Sequence, residues 1–245
     1  MLNLIKWDLY GFVKGKRLLK YLLVIVVTTL SFVGISFVTD VPDGLTALSE
    51  SATFFSSVLV FFCPIFAGMT IAQAFEDRLI QAAIMSGKSR LAIVIVKTLF
   101  FTLAVFLYLL FATAMSTCIL SALKGWGGDD IGITVGALII RLAGFLLLSA
   151  VGYTIVIPFV FYSKRIGGSI GFGFVVSLLL YSLTQELAKN PDLHSALQLT
   201  PLGRSFFIMG GEGFRYGIAT VLVIAVWMTA YIFLSWLLIR KEELK

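Results

Sequence analysis

The sequence predicts an all-α membrane protein. It has six transmembrane helices, an amphipathic amino-terminal helix in the interface, a short coupling-type helix on the cytoplasmic side and a re-entrant outer segment before the last span. Three observations carry that prediction. Of 245 residues, 59% are hydrophobic and 13% charged, with a mean hydropathy of +1.02, whereas soluble domains average about 45–50% apolar and about 25% charged. The apolar residues gather into six runs, at 18–38, 51–74, 98–120, 142–162, 166–187 and 217–239, each near the ~20 residues that cross ~30 Å of hydrocarbon. Basic residues crowd into alternate connections between those runs.

Residues 1–17 repeat Asn3, Lys6, Lys14 and Arg17 at helical spacing, with Leu2, Ile5, Leu9, Phe12 and Val13 over much of the remainder. Trp7 and Tyr10 suit the headgroup layer, where a ring is apolar on one side and wet on the other. This is the pattern of a helix lying in the interface. The run that follows is of full spanning length and lacks a small-residue cleavage site, so it reads as a retained membrane helix. Every span must satisfy its own backbone hydrogen bonds in lipid and is therefore helical. Pro64 and Pro158 fall inside the second and fourth spans and predict kinks there. Residues 131–140 are also apolar, so the fourth helix starts earlier than 142 or follows an interfacial turn. The fourth and fifth spans are joined tightly through Ser163, Lys164 and Arg165.

The connection 75–97 holds Glu76, Asp77, Arg78, Lys88, Arg90 and Lys97. Wound at about 100° per residue, Phe75, Leu79, Ile80 and Ala83 share one face with Ile84 at its margin, and Asp77, Arg78, Gln81 and Lys88 take the other. Ser86 and Gly87 supply the stop, since glycine accepts the left-handed conformation that ends helices. A short amphipathic helix lying across two span ends is a surface for a soluble partner. Glu76, placed among apolar neighbours, predicts an ion pair with a nearby Lys or Arg. The last long connection, 188–216, mixes the polar turn Asn190-Pro191-Asp192 with apolar Leu202, Phe206, Phe207, Ile208 and Met209, and ends in Gly210, Gly211 and Gly213. It predicts a short interfacial or re-entrant helical pair.

Fourteen of the nineteen Lys and Arg residues fall in the amino-terminal segment, the 75–97 connection, the 164–165 turn and the tail, with only five of the thirteen acidic residues. Positive charge stays cytoplasmic during insertion, which predicts a multi-pass protein with both termini in the cytoplasm. The same distribution accounts for the net charge of +6 without a nucleic-acid partner.

Cys63 and Cys118 both lie in apolar runs and the chain has one histidine, too few groups for a disulfide framework or a zinc site. Ala82, Gly87, Lys88 and Ser89 echo a phosphate-binding loop, which needs a strand before it and a helix after it in an α/β domain. The short stretch between two spans leaves no room for one. Gly167, Ser169 and Gly171 spell G-x-S-x-G, the pattern of a nucleophile elbow, but its serine needs a histidine base. His194 is about 25 residues away, roughly 35 Å along a helix. Glycine pairs four apart recur, with Gly167 and Gly171 the best prospect for close helix packing. No span has an acidic residue near its middle, where a secondary transporter places ion-coupling carboxylates.

The cluster Glu76-Asp77-Arg78, the short apolar helix, the run Ser86-Gly87-Lys88-Ser89-Arg90 and then Lys97 resemble the coupling segment of type-2 ATP-binding-cassette (ABC) permeases. The interfacial amino terminus, the six spans and Leu199-Thr200-Pro201-Leu202-Gly203 before the last span resemble the same family over the whole chain. The resemblance implies one permease domain, 1–245, forming half of a twelve-helix pore with a second copy or a close paralogue in a bacterial cell membrane. Two ABC ATPase subunits, which would hold ATP and Mg, would drive export; this chain would have no catalytic residue, cofactor or metal of its own. Glu76, Asp77, Arg78, Gln81, Gly87, Lys88 and Arg90 would form the coupling segment, with Lys164 and Arg165 as a smaller second contact. Apolar spans favour an amphipathic cargo, as in exporters of phenol-soluble modulins or bacteriocins, with Phe106, Phe145, Phe172 and Arg141 as candidate cavity residues. A secondary transporter and a structural membrane protein are the alternative readings.

Overall fold

The computed structural model describes residues 10, 11, 14, 17–39, 41–127, 131–209 and 217–240. Among them every regular element is a helix. In chain order these are α1 (Arg17–Val38), α2 (Gly44–Ala67), a π-helical turn (Gly68–Ala72), α3 (Gln73–Glu76), α4 (Leu79–Met85), α5 (Arg90–Lys124), α6 (Ile131–Tyr153), α7 (Val156–Ser163), α8 (Ile166–Ala188), a 3-10 turn (Pro191–Leu193), α9 (His194–Leu197), α10 (Pro201–Met209) and α11 (Gly217–Arg240). Six stretches are long and apolar enough to cross a membrane: Leu18–Val38, Gly44–Glu76, Arg90–Lys124, Ile139–Ser163, Ile166–Ala188 and Gly217–Arg240. The predicted amino-terminal helix and the glycine cluster at 210–213 lie largely outside the described residues.

The second and third spans are longer than their apolar runs. The second begins at Gly44 because Asp43 caps it: the Thr46 amide donates to Asp43 Oδ1 at 2.8 Å and the Thr46 hydroxyl to the same oxygen at 2.7 Å. These bonds hold the Asp43 carboxyl below its ordinary pKa of 3.8, the side-chain bond first. The third span has 35 residues, roughly 52 Å of helix, and so projects beyond a ~30 Å core. Lys124, at its far end, donates to the carbonyls of Val41 (2.7 Å) and Ser36 (3.4 Å), a cation on the carbonyl-rich end of α1.

Both prolines interrupt their spans, by identifiable routes. The Pro158 ring crowds the carbonyl four residues back, at Thr154. The chain breaks there between α6 and α7, where Thr154 and Ile157 bond three residues back instead of four. Pro64 lies one turn before the π-helical turn, after which the second span resumes as α3.

Spans two, three and four make the centre, with 61%, 56% and 78% of their most apolar windows buried, against 28%, 17% and 22% for spans one, five and six. Lipid gives apolar side chains no reason to avoid it, so cohesion here comes from close packing and interior hydrogen bonds. An aromatic column supplies much of it: Phe62 stacks on Tyr108 with centroids 4.4 Å apart, and Phe66 continues it to Phe101 at 5.8 Å. The Tyr108 hydroxyl donates to Thr28 Oγ1 at 3.1 Å, tying in the first span. Gly173 lets span five approach Pro64 and Val156, for a Cβ there would sit 3.1 and 2.9 Å from their side chains. The predicted pair Gly167 and Gly171 behaves differently: a Cβ at either meets nothing within 4 Å. Their spacing is right for packing, but they fall on a face of α8 that no other described element covers.

After α8 the chain turns back. The Trp227 indole, midway along α11, donates to the Leu199 carbonyl at 2.8 Å. Leu202, one residue into α10, packs against Gly152, where a Cβ would lie 2.5 Å from Leu202 Cγ. Arg204 is buried, donating to Thr220 Oγ1 and to the Gln198 carbonyl, each at 3.1 Å. The sequence counts Arg204 as one more charge of an outer loop; the structure puts it between α10 and the last span.

Candidate functional site at the basic end of the bundle

The connection between spans two and three differs from its sequence reading in where the helix starts. Phe75 and Glu76 belong to the end of span two. Asp77 and Arg78 then form a turn, Arg78 with φ of 56°, and α4 starts at Leu79. A single continuous face from Phe75 to Ile84 is therefore not formed. Within α4 the predicted apolar side holds: Ile80 is buried, and Leu79, Ala83 and Ile84 pack against the core. Asp77 and Arg78 are exposed, and Gln81 and Lys88 are half-buried.

Gly87 ends α4 as expected. Its φ is +84°, its amide donates to the Ile84 carbonyl at 3.0 Å, and the Lys88 amide reaches the Ala83 carbonyl at 3.2 Å. That pair of bonds is the Schellman arrangement. Ser89 next caps α5, accepting from the Ala92 amide at 3.2 Å. The residues resembling a phosphate loop are thus a helix stop followed by a helix start, with no strand before them.

The two charges flanking α4 each close the end of a different span. Glu76 Oε1 accepts from the Ile166 amide at 2.8 Å, the first residue of α8, which has no side-chain cap of its own. Arg90 donates to the carbonyls of Arg240 (2.7 Å) and Ile239 (3.1 Å), the last two residues of α11. Anion at an amide end and cation at a carbonyl end both match the helix dipole. Among the described residues the expected ion pair of Glu76 with a Lys or Arg does not form. The carboxylate is exposed and meets a backbone amide, because the tight 163–165 turn brings the start of α8 beside the end of α3. Phe75 adds an edge-on contact to Phe161 of α7, centroids 5.5 Å apart.

Lys164 and Arg165 lie on the same end of the bundle. Lys164 has φ of 54°, and partial burial lowers its pKa below the usual lysine range. Arg165 is exposed.

The four residues suggested for a cargo cavity stand in different surroundings. Phe145 is buried and lines a cavity of about 30 Å³ with Ser56, Tyr153, Gln185 and Ser205, space for a single water. Phe106 is half-buried against the core, Phe172 is 55% exposed on α8, and Arg141 is half-buried near the start of the fourth apolar stretch. Ser169 is buried without a hydrogen-bond partner, while His194 pairs through Nε2 with the Ala188 carbonyl at the other end of α8. The elbow pattern therefore has no base. Among the described residues no cluster of His, Cys, Asp or Glu could hold a metal ion.

Sequence reasoning missed that Glu76 and Arg90 cap helices distant in sequence. The partners are main-chain groups, which carry no side-chain signal. Compared with known proteins, the chain matches no family model and no curated protein.

Proposed function

We propose that this chain is the membrane-spanning half of an ATP-driven exporter, with α4 as the element that receives the stroke of a separate ATPase. The observation that carries this reading is the pair of helix-end bonds around α4. A push on Leu79–Met85 is delivered through Glu76 to α8 and through Arg90 to α11, so one short surface helix is coupled to the ends of four spans. Asp77, Arg78, Gln81 and Lys88 offer the polar side to the ATPase, and Lys164 and Arg165 broaden it. Glu76 and Arg90 transmit force rather than touch the partner. The orientation follows from the basic residues at this end, which is cytoplasmic on the positive-inside principle.

A second copy completes the pore. Supporting that, α8 leaves Phe172, Val175, Leu178 and Leu179 exposed beside uncovered Gly167 and Gly171. The 190–209 segment is re-entrant, a reading supported by the contacts of Leu199 and Leu202 with the middles of spans six and four. The cargo is amphipathic, with peptides the leading class, and an alternating-access cycle needs ATP to bias its two states through differential contacts.

The test is co-purification of an ABC ATPase with the tagged chain, followed by ATP-dependent uptake of an amphipathic peptide into inside-out vesicles. Uptake is expected to need both ATP and the partner. Uptake driven by an ion gradient alone, with the ATPase absent, rejects the proposal in favour of a secondary transporter.

A further inference from the structure

A cleft of about 570 Å³ is lined by spans one and two, with Tyr10 and Gly11 before span one, Leu79 of α4 and Lys97 of span three. Its volume is that of a typical small-molecule site. At the basic end its mouth is framed by Lys20 and Lys97, with Gln73 beside them; deeper in, Phe61, Ile65 and Met69 form its floor at four-residue intervals along span two. It ends at Val58, close to the middle of Gly44–Glu76.

Three features select the occupant. First comes depth. From Ala74 to Val58 is 16 residues, roughly 24 Å of helix, close to one leaflet with its headgroup layer at roughly 20–22 Å. Second is charge: Lys20 is exposed at the mouth, with Lys97, itself already engaged by another group, beside it, and no described residue lining the cleft is acidic. Third is the state of the polar groups within. The Thr70 hydroxyl is spent on the Phe66 carbonyl at 2.6 Å and the Tyr21 hydroxyl on the Ala104 carbonyl, so the deep part favours a hydrocarbon chain over a polar solute.

We propose that this cleft is a binding site for an anionic phospholipid of the leaflet at the basic end, one acyl chain lying along Phe61, Ile65 and Met69 and the headgroup phosphate held by Lys20 and Lys97. The cleft borrows Leu79 from α4 but neither Glu76 nor Arg90, and the proposal holds whether or not the chain works with an ATPase. Because the π-helical turn supplies Met69 and Thr70 to one wall, an occupied cleft supports span two where its regular helix is interrupted.

The experiment is native mass spectrometry of the full chain in detergent with equal amounts of palmitoyl-oleoyl phosphatidylglycerol and phosphatidylcholine. Exposed Lys20, at about fivefold for one surface lysine, gives an expected preference of at least about fivefold for phosphatidylglycerol, lost in Lys20→Gln and reduced in Lys97→Gln. Ile65→Trp fills the floor and should remove retention of both lipids. Equal retention of the two lipids by the unaltered chain overturns the proposal, as does an unchanged preference in both lysine variants. Should the variants fail to fold, the unaltered chain still decides the matter: phosphatidylglycerol with a diazirine at the acyl terminus should label the 58–69 peptide. Labelling no denser there than on exposed Val221 and Val226 of α11 overturns it, as does cross-linking of an added amphipathic peptide to Phe61 with the lipid excluded.

Discussion

Arg90, Glu76 and Lys124 share a habit: each places its charge where a helix from elsewhere in the chain leaves backbone groups unpaired. Hydrogen bonds to charged groups contribute about 1.5–3 kcal/mol, so Arg90→Ala should lower the melting temperature of the purified chain by several degrees. It should also fray the end of α11, measurable as faster amide exchange at Ile239 and Arg240. Arg90→Lys keeps the charge but replaces the Nη1 that serves both carbonyls with a point-charge ammonium on a flexible stem, and an intermediate effect is expected. On the proposed function, Glu76→Ala should reduce ATP-driven uptake several-fold in vesicles that hold the ATPase while leaving insertion unchanged, whereas Glu76→Gln, which keeps the acceptor for Ile166, should retain most of it. Asp43 carries a pH dependence. Its folded-state carboxyl binds protons less readily than the unfolded chain, so its cap is complete above the ordinary value of 3.8 and is lost as pH falls through the lower folded value. Stability of the unaltered chain should therefore drop more steeply below about pH 4 than that of Asp43→Asn, as read by thermal melts across that range.

At the scale of elements, the interruptions are informative. Gly87 sits in the left-handed region with open space around it, so backbone conformation alone, and no crowding, reserves that position for glycine. The contact of α10 with span four is steric instead. Gly152→Val puts a Cβ against Leu202 and should cost about 1–3 kcal/mol through overpacking, displacing Pro201–Met209. The Trp227 indole, which holds the Leu199 carbonyl, reports that displacement. In a chain whose other three tryptophans are replaced by Phe, its emission should shift on Gly152→Val; unchanged emission contradicts the packing described.

Across the whole molecule, burial is uneven, and spans one, five and six are the most exposed. If α8 meets its counterpart in a second copy, Val175→Cys should form an intermolecular disulfide in membranes, and Gly171→Leu should weaken it by obstructing close approach. Monomeric behaviour of the Val175→Cys chain under oxidation argues against that interface.

The amino-acid order by itself determined the class of protein, the number and approximate limits of its spans, the sidedness expected of its charges and the short helix stopped by Gly87. All of these rest on hydropathy, charge count or local backbone preference, which neighbours in sequence decide. Tertiary structure alone decided that Glu76 meets the start of α8 and Arg90 the end of α11, that Arg204 is buried, that Gly173 rather than Gly167 or Gly171 is the close contact, and that a cleft of about 570 Å³ opens beside Lys20. Those features depend on which helix ends and faces become neighbours across 16 to 150 residues of chain. Main-chain amides and carbonyls, identical at almost every position, leave no trace of such meetings in the order of side chains.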